Sequence, residues 1–142
     1  MLKDDIGFTA STTSKKIKAL VSKSLKAYNV TAEQWTVLKQ LSFVSGINQK
    51  ELSQRTDKDQ ATLTKILDLL EQNHFIVRLP NPEDRRSFCI QITDEGRRLV
   101  EKVIPDIEGL YEKILNHLSK EQLDNFMEVL LQIQQNIKEL QE

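Results

Sequence analysis

Asp84, Arg85 and Arg86 stand together after Pro80-Asn-Pro82-Glu83, so a proline-marked turn carries two guanidinium groups beside two carboxylates. Charges at such a place do nothing for a core. Planar, permanently charged guanidinium groups suit contacts with phosphates and with base edges. A second set, Gln60, Thr62, Thr64 and Lys65, lies opposite a row of apolar residues and offers amides, hydroxyls and an ammonium group, the groups that meet base edges and nearby phosphates in a major groove. Asn48, Gln49 and Lys50 form a third set at the start of the preceding helix, whose positive end favours contact with a sugar-phosphate backbone. Polar residues opposite a buried row also describe an ordinary solvated helix face. The second set therefore gains meaning only from what surrounds it.

The elements that position these residues follow from periodicity. In STTSKKIKALVSKSLKAY, Ile17, Leu20, Val21, Leu25 and Tyr28 recur at helical steps opposite a lysine-rich face. Thr31 with Gln34 makes a capping box that opens a helix buried through Trp35, Leu38 and Leu41 and ending near Ser45-Gly46. Asn48 with Glu51 repeats that start signal for a short helix, which leaves through Thr56-Asp57-Lys58-Asp59. Asp59 then caps a helix buried through Leu63, Ile66, Leu67 and Leu70. Beyond Asn73-His74 the period falls to two: Phe75, Val77 and Leu79 alternate with Ile76 and Arg78, and Phe88, Ile90 and Ile92 alternate with Cys89 and Gln91. The expectation is a two-stranded hairpin joined through PNPEDRR and packed through Phe88, Ile90 and Ile92. Its proline-bearing tip should stay outside any larger sheet.

Thr93 is a further cap candidate. The following helix has Val100, Val103, Ile107, Leu110, Ile114 and His117 on one seam, with Pro105 set to bend it. Ser119 with Gln122 opens the last helix, whose seam runs through Leu123, Phe126, Leu130, Ile133, Ile137 and Leu140. These seams could cover one another within one chain. Together with the first helix they offer more apolar surface than a thin unit can hide, which favours a homodimer.

The totals agree with one domain over residues 1–142. The chain is 39% hydrophobic and 29% charged, in the globular range. No apolar run approaches the roughly 18 to 20 residues of a membrane span, and the start MLKDDIGFTAS lacks the apolar stretch of a signal peptide, so a cytoplasmic protein with no membrane partner is expected. Net charge is −1, with balances of +4 over 1–47, zero over 48–98 and −5 over 99–142. A chain of that charge does not hold polyanions merely by being basic. One cysteine, Cys89, excludes an internal disulfide, and Cys89, His74 and His117 make a poor metal set; no metal and no cofactor are expected. There is no Gly-rich phosphate loop and no nucleophile with an evident base, so an enzyme is not expected.

Helix, short helix, turn, polar-fronted helix and hairpin make a winged helix-turn-helix: mainly α, with a small β-hairpin wing. The polar-fronted helix fits a major groove and the hairpin tip the neighbouring minor groove. Asp84-Arg85-Arg86-Ser87 followed by Ile92-Thr93 and Gly96, with VTAEQWTVL at 30–38, QKEL at 49–52 and ATLTK at 61–65, resembles the MarR (multiple antibiotic resistance regulator) family of transcription factors over nearly the whole chain. The resemblance implies a homodimer joined through terminal helices, here 1–30 and 99–142, around a winged helix-turn-helix at 31–98. It implies binding to a pseudo-palindromic operator in double-stranded DNA, usually repressing, with release by a small, often aromatic ligand. It places Arg86 in the minor groove and Asp84 as the carboxylate that positions the wing arginines; Arg85, left over, reads as a phosphate contact. His74 stands where the family commonly has Gly, and Thr56 where it commonly has Leu.

Cys89 reads as a structural thiol, His117 as an exposed helix-end histidine, and Tyr28, Trp35 and Tyr111 as core aromatics before ligand contacts; the ligand-binding residues stay unknown. The rival reading is a winged-helix module or antirepressor that binds protein and does not read DNA. Such a module has no need of paired arginines at its tip.

Overall fold

The computed structural model describes residues 1–142. Helix α1 spans Asp5–Leu25 and continues into a 3-10 turn at Lys26–Tyr28; α2 is Ala32–Phe43, β1 Ile47–Asn48, α3 Gln49–Thr56, α4 Gln60–Gln72, β2 Ile76–Asn81, β3 Asp84–Ile92, α5 Asp94–Ile114 and α6 Lys120–Leu140. Two compact units emerge, Met1–Leu110 and Tyr111–Glu142. No helix is long and apolar enough to cross a membrane.

Local chemistry sets the helix starts. Thr31 accepts the Gln34 N–H while the Gln34 side chain accepts the Thr31 N–H, and Ser119 and Gln122 repeat this reciprocal pair. Asn48 accepts the Glu51 N–H and Asp59 the Thr62 N–H. The box expected at Asn48 is only half made, because the Glu51 carboxylate turns to Arg55 at 3.1 Å instead. Helix α1 begins at Asp5, ahead of the apolar stripe that its sequence shows from Ser11 onward; residues 5–10 are all exposed and so show no buried period.

In the first unit, Leu38 and Leu41 of α2, Leu52 of α3, Leu63, Leu67 and Leu70 of α4, and Ile76 and Ile90 of the strands are shut off from solvent. Leu25 of α1 and Val103 of α5 join the fully buried set. The Tyr28 hydroxyl donates to the Asp106 carboxylate, and lies 3.3 Å from the Lys102 carbonyl, tying the end of α1 to α5; the hydrogen bond to Asp106 raises the phenol's pKa. Trp35 is buried in the core.

The end of α4 explains two signature positions. His74 has φ 65°, the left-handed turn that Gly usually provides. The Phe75 N–H then reaches the Leu70 carbonyl and the His74 N–H the Glu71 carbonyl, each at 3.0 Å, which is a Schellman closure. Thr93 donates its hydroxyl to the His74 carbonyl at 2.7 Å and its N–H to the Phe75 carbonyl at 3.0 Å. The same Thr93 oxygen accepts the Gly96 N–H. A Cβ on Gly96 would stand 2.3 Å from the Phe75 carbonyl oxygen and 2.7 Å from Ile92 Cγ1. Gly96→Ala is expected to destabilise the fold by about 1–3 kcal/mol in urea unfolding, since a backbone contact cannot rotate away; an unchanged midpoint would contradict this packing.

The wing departs from the two-stranded expectation. β1 adds to β3, giving the antiparallel order β1-β3-β2 with Ile47 opposite Ile90. The connecting turn is shorter than PNPEDRR: β2 runs through Pro80 and Asn81, β3 begins at Asp84, and only Pro82-Glu83 stand between, with a register irregularity at Pro80/Asn81. Arg85 and Arg86 are therefore strand residues. Pairing of Ile76 with Ile92 and Arg78 with Ile90 puts these four on the inward face, while Val77 and Leu79 are exposed. Phe88 pairs with Pro80 toward the tip and is 50% exposed, so the hairpin packs through Ile90 and Ile92 without it.

α5 buries Val100, Val103 and Ile107 and continues as helix through Pro105. It ends at Ile114; His117 is exposed in the connector at φ 68°, so it leaves the seam on which its spacing places it. In α6 no residue is buried: Phe126, Ile133, Ile137 and Leu140 are all exposed, and Leu123 and Leu130 are half-buried.

Candidate nucleic-acid interface

The bend between α3 and α4 is held by short-range bonds. Asp57 takes φ 52°, the Lys58 N–H reaches the Ser53 carbonyl at 3.1 Å, and the Ser53 hydroxyl donates to the Lys58 carbonyl at 2.5 Å. Thr56 is buried at the position where leucine is common, and its hydroxyl donates to the Leu52 carbonyl at 2.7 Å. A hydroxyl bonded to its own helix is thereby tolerated in the core. Across the bend, Gln49 Nε2 donates to Thr64 Oγ1 at 2.7 Å and lies 3.4 Å from the Gln60 carbonyl, so the first turn of α3 grips the first turns of α4.

These contacts sort the polar residues. Asn48 commits its side-chain oxygen to the cap, Gln49 commits its amide to α4, and Lys50 is exposed with no ion pair. On α4, Gln60, Thr62 and Lys65 are exposed and Thr64 is half-buried; Lys65 lies opposite Leu63, Ile66, Leu67 and Leu70, the threonines flank it, and Gln60 is open as the first residue of the helix. The Thr62 hydroxyl donates to the second oxygen of Asp59 at 3.0 Å, and that of Thr64 to the Gln60 carbonyl at 2.8 Å. The Thr62 N–H and hydroxyl together hold the Asp59 carboxyl below the usual carboxylate range.

The wing turn is internally bonded. Asn81 accepts the Glu83 N–H at 3.0 Å and donates to Ser87 Oγ at 3.0 Å, and Asp84 Oδ1 accepts the Arg86 N–H at 2.9 Å. Asp84 thus holds the backbone of Arg86; its carboxylate makes no ion pair with either guanidinium group. Arg85 and Arg86 are exposed, and neither guanidinium takes part in any ion pair.

Sequence reasoning missed Arg78. Its Nη2 lies 2.5 Å from Asp68 and 3.3 Å from Glu71, and its N–H donates to Glu71 at 3.2 Å. The side chain is only 18% exposed and fastens β2 to α4. The available signal was a basic residue in phase with Ile76, facing acids one helical turn apart at 68 and 71.

A hairpin of β2 and β3 directly after a helix-turn-helix, joined by β1 into a three-stranded sheet, with an open polar helix front and unpaired arginines at the start of β3, defines a winged helix-turn-helix DNA-binding protein. The MarR family model matches residues 30–88. The HTH-type transcriptional regulator BilQ of Clostridioides difficile (strain CD3) is 31% identical over 107 residues, covering 75% of this chain and 70% of the relative. The HTH-type transcriptional repressor MdtR of Bacillus subtilis (strain 168) is 28% identical over 122 residues, covering 86% and 79%. Among solved structures, a mutant of MarR from E. coli complexed with operator DNA has a TM-score of 0.84 at 24% identity, over 94% of this chain and 98% of that one. CouR from Rhodococcus jostii RHA1 bound to p-coumaroyl-CoA has a TM-score of 0.83 at 23% identity, over 94% of each chain. The chain belongs to the MarR family, and it is a DNA-binding transcriptional regulator. Its relatives are regulators rather than enzymes.

Proposed function

We propose that this protein is a repressor that binds a pseudo-palindromic operator as a homodimer. In this reading α4 lies in the major groove, with Gln60, Thr62, Thr64 and Lys65 toward bases and phosphates. Asn48, Gln49 and Lys50 flank the backbone, and the wing sends Arg86 into the minor groove beside Arg85, with Asp84 fixing the Arg86 backbone. The observation that carries the reading is the pair of unpaired guanidinium groups at the start of β3, beside a turn held by bonds from Asn81 and Asp84. Segments 1–30 and 99–142 serve as dimerisation helices around 31–98. The exposed apolar row of α6 and the exposed Ile6, Phe8 and Leu20 of α1 support that role, because apolar rows of this length are costly to leave in water. Repression fits the name of the B. subtilis relative. Release by a small aromatic ligand fits the ligand-bound state of a fold neighbour.

Duplex DNA from upstream of the protein's own gene, carrying an inverted repeat with half-sites about 10 bp apart or a multiple of that, tests this. Fluorescence anisotropy between about 50 and 200 mM salt is expected to lose roughly 10³–10⁵ in affinity if about six to ten phosphates are neutralised. A flat salt response would favour the protein-binding module.

A further inference from the structure

The threonines at the front of α4 have no hydroxyl proton to give. Thr62 donates to Asp59 Oδ2 at 3.0 Å, and Thr64 donates to the Gln60 carbonyl at 2.8 Å while accepting from Gln49 at 2.7 Å. Each oxygen is turned back onto the protein, yet Thr62 is exposed and Thr64 half-open. What these side chains have left for a partner is mainly carbon. Ala61, exposed and offering only a methyl, stands one turn before Lys65 on the open side, with Thr64 and Thr62 flanking the two. Three methyl-bearing residues therefore share the first turns of α4, the part of a recognition helix that meets base edges. In the major groove only thymine presents a methyl group, at C5, and apolar contact with it is the natural reading by alanine and threonine carbons.

From this we infer that α4 reads thymine by methyl contact, through Ala61 and the γ-methyls of Thr62 and Thr64, rather than by hydrogen bonds donated from the threonines. The inference rests on α4 being the major-groove helix. The hydrogen bonds of Asp59 and Gln49 are then positioning devices. They lock the threonine rotamers so that the same carbon faces outward each time, and a locked side chain loses little entropy on binding.

The test uses the full chain and duplexes enriched from a random library by binding to it. Thymines of the enriched half-site are replaced one at a time by deoxyuridine, which removes the C5 methyl and leaves every hydrogen-bonding group in place. At one or more positions affinity is expected to fall about fourfold, the change equivalent to the ~0.8 kcal/mol of one buried methyl. Thr62→Ser, which keeps the hydroxyl, should abolish the deoxyuridine penalty at one position, and Thr64→Ser at another. Thr62→Val, which keeps the methyl, should preserve it. If enriched duplexes bind as well with deoxyuridine throughout, or if Thr62→Val erases the penalty that Thr62→Ser retains, methyl reading is wrong while the DNA-binding role stands. If the library yields no enriched duplex, both fall.

Discussion

Replacing Ile133 and Ile137 together with glutamate is expected to leave a folded chain that sediments as a monomer and binds operator duplex about 10²–10⁴ times more weakly, the range by which linked sites gain over single ones. The two residues are 37% and 47% exposed on a helix in which no residue is buried, so the chain's own fold leaves much of their apolar surface open. A second copy is what they would cover. Carboxylates brought into such a seam meet their symmetry mates across the axis, where burial of unpaired charge is strongly unfavourable. The DNA consequence follows from linkage: each half-site contact made after the first benefits from the effective concentration that the dimer supplies, and a monomer forfeits that gain. Gln132→Glu with Gln135→Glu is the control, since both residues lie outside the apolar row and add the same charge. That control should remain dimeric and lose only the small affinity due to charge. Analytical ultracentrifugation of the two double variants decides the matter, and an unchanged dimer mass for the chain carrying Ile133→Glu with Ile137→Glu would refute α6 as the interface.

Arg86→Ala should leave unfolding unaltered and weaken operator binding by about 1–3 kcal/mol per wing, thus by roughly thirtyfold or more for a dimer that uses two. The side chain is exposed and makes no intramolecular ion pair, so its removal leaves no partner stranded within the chain. The loss should be concentrated at sites with A·T-rich flanks, where a narrow minor groove has the strongest negative potential. Arg86→Lys keeps the charge but not the planar fork, and should recover only part of the affinity. Titrations against duplexes differing only in flank composition separate the roles. A uniform loss on every flank would assign Arg86 to a phosphate contact and leave the minor groove to another residue.

Much of the fold is legible in the sequence because its decisive signals are local. Thr31, Asn48, Asp59 and Ser119 read as caps, and each accepts the backbone N–H three residues on, a contact whose length is set by the first helical turn alone. The buried stripe of α4 is complete in the sequence for the same reason: 3.6-residue periodicity fixes which side chains share a face. Even the departure at His74 is readable, since a helix ending there needs a left-handed residue whatever its neighbours.

The strand faces are less legible. In Phe75-Ile-Val-Arg-Leu79 apolar residues occupy both phases, so a period of two does not say which phase turns inward. Register with β3 decides, and it brings Ile76 in along with Arg78, a choice that is acceptable only because Asp68 and Glu71 wait on α4. β1 leaves no trace in the sequence pattern because two residues carry no periodicity at all.

By itself, then, the order of residues determined where α2, α3, α4 and α6 begin, which faces of α2 and α4 are buried, and that two arginines stand on a wing. All of these depend on neighbours within a few positions. Only the tertiary structure decided which polar groups remain open. Gln49 is committed to Thr64, Arg78 is clamped, and the guanidinium groups of Arg85 and Arg86 stay free of ion pairs. Whether a donor has a partner depends on distances across elements, to within a few tenths of an ångström, and no spacing along the chain encodes that.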